Sequence, residues 1–382
     1  MEYSERSCRA KISTRNRKII MTLACMAVAA VCLCACGNEG NTENLASNRL
    51  KVVTTIFPEY DWVREILGDK AGEADITLLL DNGVDLHSYQ PTAEDILKIG
   101  EADVFIYVGG ESDEWVEDAL KEASNPDRKV INLLEVLGDS VKEEEVVEGM
   151  EHDHEHEDGE EHHDEDAHDE EEHHDEDAHD GEEHHDEEVS EDEHEHGEEP
   201  EYDEHVWLSL RNAQILCDAI AEALGEADPD DAATYTANAA DYKSKLAALD
   251  KSYREAVDAA DIRTVLFGDR FPFRYMTDDY GLDYYAAFAG CSAETEASFE
   301  TVIFLADKLD ELGLPAVLTI EKSDGKIAET IRDNTASKDQ KILVMDSLQS
   351  TTSEDIKNGA TYTGAMEDNL EVLKEALGAE AQ

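Results

Sequence analysis

From residue 51 onward the hydrophobic and polar positions alternate between two rhythms. Short runs rich in Val, Ile, Leu and Phe at 51–56, 75–80, 103–108 and 129–133 read as strands, and their nearly continuous apolar character suits a sheet covered on both faces. Between them, 59–67, 92–99 and 115–122 carry apolar residues at helical spacing. The same rhythm returns later, with strands expected at 263–267, 284–288, 316–320 and 341–345 and helices at 299–312, 325–334 and 364–377. Strand and helix in turn require crossover connections, so the expected fold is α/β, two lobes each built on a mostly parallel sheet flanked by helices. The segment 230–260 lies between the lobes. It opens with the capping signal Asp228-Pro229-Asp230, is rich in Ala, Lys and Leu, and contains no Gly or Pro. About thirty residues rising 1.5 Å each make a rigid backbone helix of about 45 Å, enough to join both lobes. The alternative is a helical hairpin packed on one lobe.

Charge changes the picture at one place. Residues 151–204 contain 32 Asp or Glu and no Lys or Arg, half of the formal net charge of −64 carried by the 382-residue chain. A surface that binds nucleic acid needs clustered Lys and Arg, so nucleic acid is excluded as a partner and cations are the natural one. The N-terminus is different again: Arg15, Arg17 and Lys18 precede an apolar run at 19–33, the pattern of an export signal. A bilayer span needs about 20 residues. The run stops at Leu33-Cys34-Ala35-Cys36-Gly37, which resembles the lipobox of bacterial lipoproteins. Residues 1–35 are therefore expected to be a lipoprotein signal peptide, Cys36 the lipidated residue and 36–50 a polar tether, which places the protein outside the cytoplasm, lipid-anchored to the cell membrane. The alternative is a plain signal peptide or membrane anchor. Five of the seven cysteines fall in this segment, leaving Cys217 and Cys291 in the fold. Two buried free thiols are the expectation and one bridge the alternative, and no CxxC pair exists.

Histidine is the most informative residue. Of the 15, all but His87 and His205 lie between 152 and 196. There the units 160–169 and 171–180 repeat with an eleven-residue period, each holding a doubled His among carboxylates. With almost nothing apolar to bury, the stretch 143–204 reads as a disordered loop. Imidazole suits Zn(II), Cu(II) and Ni(II), and carboxylates add long-range attraction, so the tract offers several weak, exchangeable sites. An acidic spacer with incidental His is the bland alternative. His87 follows the strand at 75–80, at the carboxyl end where α/β sheets place ligands. His205 lies where the charged tract returns to structure.

Motifs spread over most of the chain carry a resemblance. They are Thr55-Ile56-Phe57-Pro58 with Tyr60 and Asp61, His87-Ser88-Tyr89 with Pro91, Ala102-Asp103-Val104-Phe105-Ile106-Tyr107, and Glu114-Trp115. They continue with His205-Val206-Trp207-Leu208, Asp228-Pro229 with Tyr235 and Asn238, Tyr280-Gly281-Leu282, and Asp346-Ser347-Leu348. In this order the chain resembles the zinc and manganese substrate-binding lipoproteins of ABC importers. The resemblance implies two α/β lobes joined by one long helix, with metal held in the cleft between them. It divides the chain into an N-terminal metal-binding lobe at 51–228 that includes the His-rich loop, a linking helix at 229–260, and a C-terminal lobe at 261–382. It also implies His87 and His205 as ligands from the first lobe and Asp346 as the carboxylate from the second. One departure stands out: where the family places a third histidine, this chain reads Phe267-Gly268-Asp269-Arg270-Phe271. Zinc prefers four ligands. Asp269 is the nearest candidate for the gap, with Glu294, Glu296 or a water behind it; alternatively Asp269 pairs with Arg270 or caps the next helix.

The expected function is that of a metal receptor, not an enzyme. The acidic tract concentrates Zn(II), the cleft binds one ion, and the monomeric protein hands it to an ABC permease driven by its ATPase. An oxygen-richer site would admit Mn(II) or Fe(II) instead. Because neutral imidazole is the ligand form, binding should fade below about pH 6. A zinc hydrolase is the enzymatic rival, and against it there is no His-Glu-x-x-His helix, Gly-x-Ser-x-Gly elbow or Gly-rich phosphate loop. A surface metal buffer or adhesin without a transporter is the other rival.

Overall fold

The computed structural model describes residues 49–121, 124–150, 201–292 and 296–379. The expected signal peptide, Cys36, most of the tether, the His-rich repeats and Glu294 lie outside the described residues. The N-terminal lobe runs β1 (Lys51–Thr54), α1 (Phe57–Leu67), β2 (Asp75–Leu78), α2 (Ala93–Glu101), β3 (Val104–Tyr107), α3 (Val116–Lys121), β4 (Lys129–Asn132), α4 (Leu133–Leu137) and α5 (Leu210–Ala227). Then α6 (Ala232–Ala259) leads into the C-terminal lobe: β5 (Thr264–Phe271), α7 (Arg274–Tyr280), β6 (Asp283–Ala289), α8 (Phe299–Leu312), β7 (Ala316–Ile320), α9 (Lys326–Asn334), β8 (Lys341–Met345), α10 (Ser353–Lys357) and α11 (Tyr362–Ala376).

The two sheets have the same design. Their strand orders are β2-β1-β3-β4 and β6-β5-β7-β8, and every pairing in both is parallel. In each, the chain reverses its direction of travel at the first strand of the lobe. Crossover loops therefore diverge at the carboxyl ends of β1 and β3 in one lobe and of β5 and β7 in the other, which opens a crevice there.

Helix α6 joins the lobes because of its buried residues. Tyr235, Ala239, Tyr242, Leu246, Leu249, Tyr253 and Val257 are spaced by three or four and form one apolar strip. The strip packs on α1 and α5 in the first lobe and on α7 and α11 in the second. Twenty-eight residues give a length of about 42 Å. A continuous apolar core follows this helix through both lobes and includes Trp62, Trp207, Tyr253 and Tyr362, while a second core of Leu266, Phe288, Leu305, Val317 and Ile331 fills the far side of the C-terminal sheet.

The structure adds to the sequence reading in three places. Strand β5 continues past the expected end at 267 through Gly268-Asp269-Arg270 to Phe271, with an irregular register between Phe267 and Arg270. The segment with the missing histidine is thus the end of a strand. Secondly, the stretch expected to be a disordered loop from 143 has a structured base: Glu143 pairs antiparallel with Tyr202, the Glu144 N–H donates to the Glu201 carbonyl at 2.8 Å, and the Asp203 N–H donates to the Lys142 carbonyl at 2.9 Å. Backbone pairing fixes both ends irrespective of side-chain charge. Thirdly, the short helices α4, α7 and α10 were too brief to show a period. No helix among the described residues is long and apolar enough to cross a membrane.

Candidate metal centre

His87 stands on a single 3-10 turn, Leu86–Ser88, in the loop that leaves β2. The Asp85 carboxylate caps that turn by accepting from the His87 N–H at 3.1 Å. The imidazole Nδ1 lies 2.7 Å from the Ser112 hydroxyl, on the 3-10 turn Glu111–Asp113 after β3, and 3.6 Å from Glu204 Oε2. Ser112 thus occupies one ring nitrogen, with the Glu204 carboxylate nearby but beyond hydrogen-bond distance, and Nε2 is left facing the crevice.

His205 is fully buried at the start of the 3-10 turn Val206–Leu208, which leads into α5. Asp203 Oδ1 accepts from the His205 backbone N–H at 2.8 Å and lies 3.0 Å from its ring Nδ1. An ionised carboxylate can only accept, so Nδ1 carries the hydrogen and Nε2 presents a lone pair. Carboxylate-oriented histidines of this kind are the usual metal ligands.

The two Nε2 atoms are 3.3 Å apart. Two nitrogens each bound at 2.0–2.1 Å to one tetrahedral zinc ion would be separated by about 3.3 Å. Without crossing N–H bonds the pair can share at most one proton. Burial and the neighbouring His205 hold the His87 imidazole down to about 3, so it is neutral at ordinary pH. For His205, burial acts to lower proton affinity but the Asp203 carboxylate outweighs it and leaves the ring above its ordinary value.

A third donor comes from the other lobe. Among the described residues, His87, His205 and Cys291 form a group whose ligand atoms all lie within 4.8 Å of one another. Cys291 follows β6, and its backbone N–H donates to Glu144 Oε1 at 2.9 Å. Gly290 makes the approach possible: a Cβ there would lie 2.9 Å from the Phe271 carbonyl oxygen and 3.1 Å from His205 Cε1. His87, Ser112, Glu144, Glu204 and Cys291 line a common cavity of about 270 Å³ at the base of the acidic segment. Cys217 is also a free thiol, buried in α5.

The two carboxylates expected at the site lie outside this group. Asp346, after β8, is held by Asn369: its N–H donates to Asn369 Oδ1 at 2.8 Å, and its carbonyl accepts from Asn369 Nδ2 at 2.7 Å. Its Oδ1 accepts from the Leu348 N–H at 2.8 Å, and the residue lines a different cavity with Asp355 and Asp368. Asp269 Oδ1 accepts from the Arg270 backbone N–H at 2.9 Å, and the residue borders a cleft with Asp85, Arg270 and Glu321. Glu296 lines a cavity with Lys326 and Thr330. Gly268 is closed to any side chain, since a Cβ would stand 2.7 Å from Ala328 Cα. Instead β5 sends Arg270 into the cleft, where its guanidinium meets Asp85 of the first lobe at 2.6 Å. Cys291, which the structure brings to this group, was not among the residues the sequence reading singled out for the site. The available signal was a thiol directly after a strand, at the carboxyl end of a parallel sheet.

Residues 52–376 match the family described as zinc-uptake complex component A, periplasmic. The chain is 29% identical over 364 residues to the zinc-binding lipoprotein AdcA of Streptococcus pneumoniae serotype 4, covering 95% of this chain and 62% of that one. It is 28% identical over 345 residues to the high-affinity zinc uptake system protein ZnuA of Bacillus subtilis, covering 90% of this chain and 93% of that one. The chain thus spans about three fifths of the streptococcal protein and nearly the whole of the Bacillus one. Among solved structures, the Zn(II)-bound ZnuA-like domain of Streptococcus pneumoniae AdcA superposes with a TM-score of 0.60 at 26% identity, covering 86% of this chain and 99% of the domain.

Proposed function

The chain belongs to the family of zinc-uptake complex component A, and on that premise we propose that it is the extracytoplasmic Zn(II) receptor of an ABC importer. The ion is its cargo, not a resident cofactor, and the protein performs no catalysis. The observation that carries this reading is the pair of Nε2 atoms 3.3 Å apart, with the opposite ring nitrogens engaged by Asp203 and Ser112. Such a pair presents two lone pairs to one ion at a spacing that suits zinc. Nitrogen donors of this kind favour Zn(II) over Mn(II) or Fe(II), which prefer oxygen.

The location of the pair matches the role. It lies where the loops from β2 and β3 meet the chain entering α5, next to the loop leaving β6, so an ion there touches both lobes. Opening the crevice would release it toward a permease. The acidic His tract is attached directly beside the cavity and serves as a collector of loosely held metal. The reading includes a lipid anchor at Cys36 and a monomeric receptor docking on a permease with its ATPase. The relatives named for zinc binding and zinc uptake support the choice of metal.

The test is competition titration of the full chain against a zinc chelator. One tight zinc per chain is expected above the weaker tract sites. His87→Ala or His205→Ala should each reduce its affinity by on the order of 100-fold or more, since even outer-shell changes cost 10–100-fold. A wild-type chain with only weak zinc sites would refute the receptor. Deleting the partner permease separates import from surface buffering: unchanged uptake under zinc limitation would favour the buffer.

A further inference from the structure

Resting on the receptor reading, we propose that Cys291 is a ligand of the captured ion, so that the site is a mixed imidazole–thiolate centre with its sulphur supplied by the C-terminal lobe. The geometry comes first. The Cys291 sulphur and one nitrogen of each histidine all fall within 4.8 Å of one another, and a modest closure brings three donors onto one ion. Zinc–sulphur bonds are about 2.3 Å and zinc–nitrogen bonds about 2.0–2.1 Å, so ligand atoms around one ion stand under about 4 Å apart.

Two features of the surroundings point the same way. Glu204 is 2% exposed, and its Oε2 has no hydrogen-bond partner although it borders the cavity shared with His87 and Cys291. A buried carboxylate oxygen without a donor is costly unless positive charge stands near it. The chain also holds Cys291 in place. Glu144 Oε1 takes its backbone N–H, and Gly290 lets the end of β6 close against the His205 ring.

Binding then forms one metal–sulphur bond as the thiol proton leaves to solvent, with no change of oxidation state. The donor set excludes hard cations and favours zinc and softer ions. It also makes the third ligand a bond between lobes, because His87 and His205 belong to one lobe and Cys291 to the other.

Alkylation of the full chain by N-ethylmaleimide, with cysteines resolved by peptide mass spectrometry, tests this on unmutated protein. Zinc at one equivalent per chain, which fills the tight site ahead of the weaker tract, should protect Cys291. Loading with Co(II) should give a thiolate-to-cobalt charge-transfer band that Cys291→Ser and Cys291→Ala lose and Cys217→Ala keeps. Both Cys291 variants should bind zinc at least tenfold more weakly. Unprotected Cys291 in zinc-loaded protein, or a Cys291→Ser variant with undiminished affinity and no altered band, overturns the thiolate ligand. If His87→Ala and His205→Ala still abolish the tight ion in that case, the receptor reading stands. If no variant changes zinc binding, both fall.

Discussion

At the scale of single residues, the site depends on groups that touch no ion themselves. Asp203 fixes the tautomer and direction of His205 through two contacts from one oxygen. Asp203→Asn should therefore weaken zinc binding by about 10–100-fold while leaving the histidines in place, measured by chelator competition. Gly290 illustrates a constraint of space. Gly290→Ala places a methyl group 3.1 Å from His205 Cε1 and 2.9 Å from a backbone oxygen. Either the ring or β6 must shift, at about 1–3 kcal/mol by the usual cost of overpacking. A lowered melting temperature together with weaker zinc binding is the expected result. Sequence reading picked out both histidines because isolated His stand out beside a tract that holds the others. It also named Asp346, which in this structure lies outside the group of His87, His205 and Cys291, with its N–H bonded to Asn369 and its Oδ1 to the Leu348 N–H.

At the scale of elements, α1 carries a pH sensor unrelated to metal. Glu59, in the first turn, accepts from the Thr55 N–H at 2.8 Å and the Ile56 N–H at 3.3 Å and is completely buried. Burial, with the nearby Asp113 carboxylate, pushes its carboxyl up to about 8 from an ordinary 4.5. The folded protein thus keeps a proton that the unfolded chain releases near 4.5. Stability from this group is complete below 4.5 and is lost as pH rises toward 8, at about 1.4 kcal/mol for each tenfold change in proton affinity. Chemical denaturation of Glu59→Gln between pH 5 and 9 should give a flatter profile than wild type. A steeper one would exclude Glu59 as the source. Element types were legible because the parallel strands are short apolar runs and the longer helices carry a full period. The extension of β5 was not, since Gly268-Asp269-Arg270 has no strand pattern and is held by pairing with β6.

At the scale of the whole molecule, closure of the crevice rests partly on Arg270 and Asp85, which pair across the lobes at 2.6 Å with both side chains about one fifth exposed. Arg270→Ala should cost about 1.5–3 kcal/mol, the range for hydrogen bonds to charged groups. Stopped-flow chelation should show faster zinc release, because one interlobe tie is gone. The sequence by itself determined the two α/β lobes, the long connecting helix and the two lone histidines, since hydrophobic period, capping residues and compositional contrast are local properties. Only the tertiary structure decided which groups share the crevice. That choice depends on how loops from β2, β3 and β6 converge with the base of the acidic segment, and Arg270 and Cys291 meet Asp85 and His87 across more than 180 residues of chain, with no local pattern to announce the meeting.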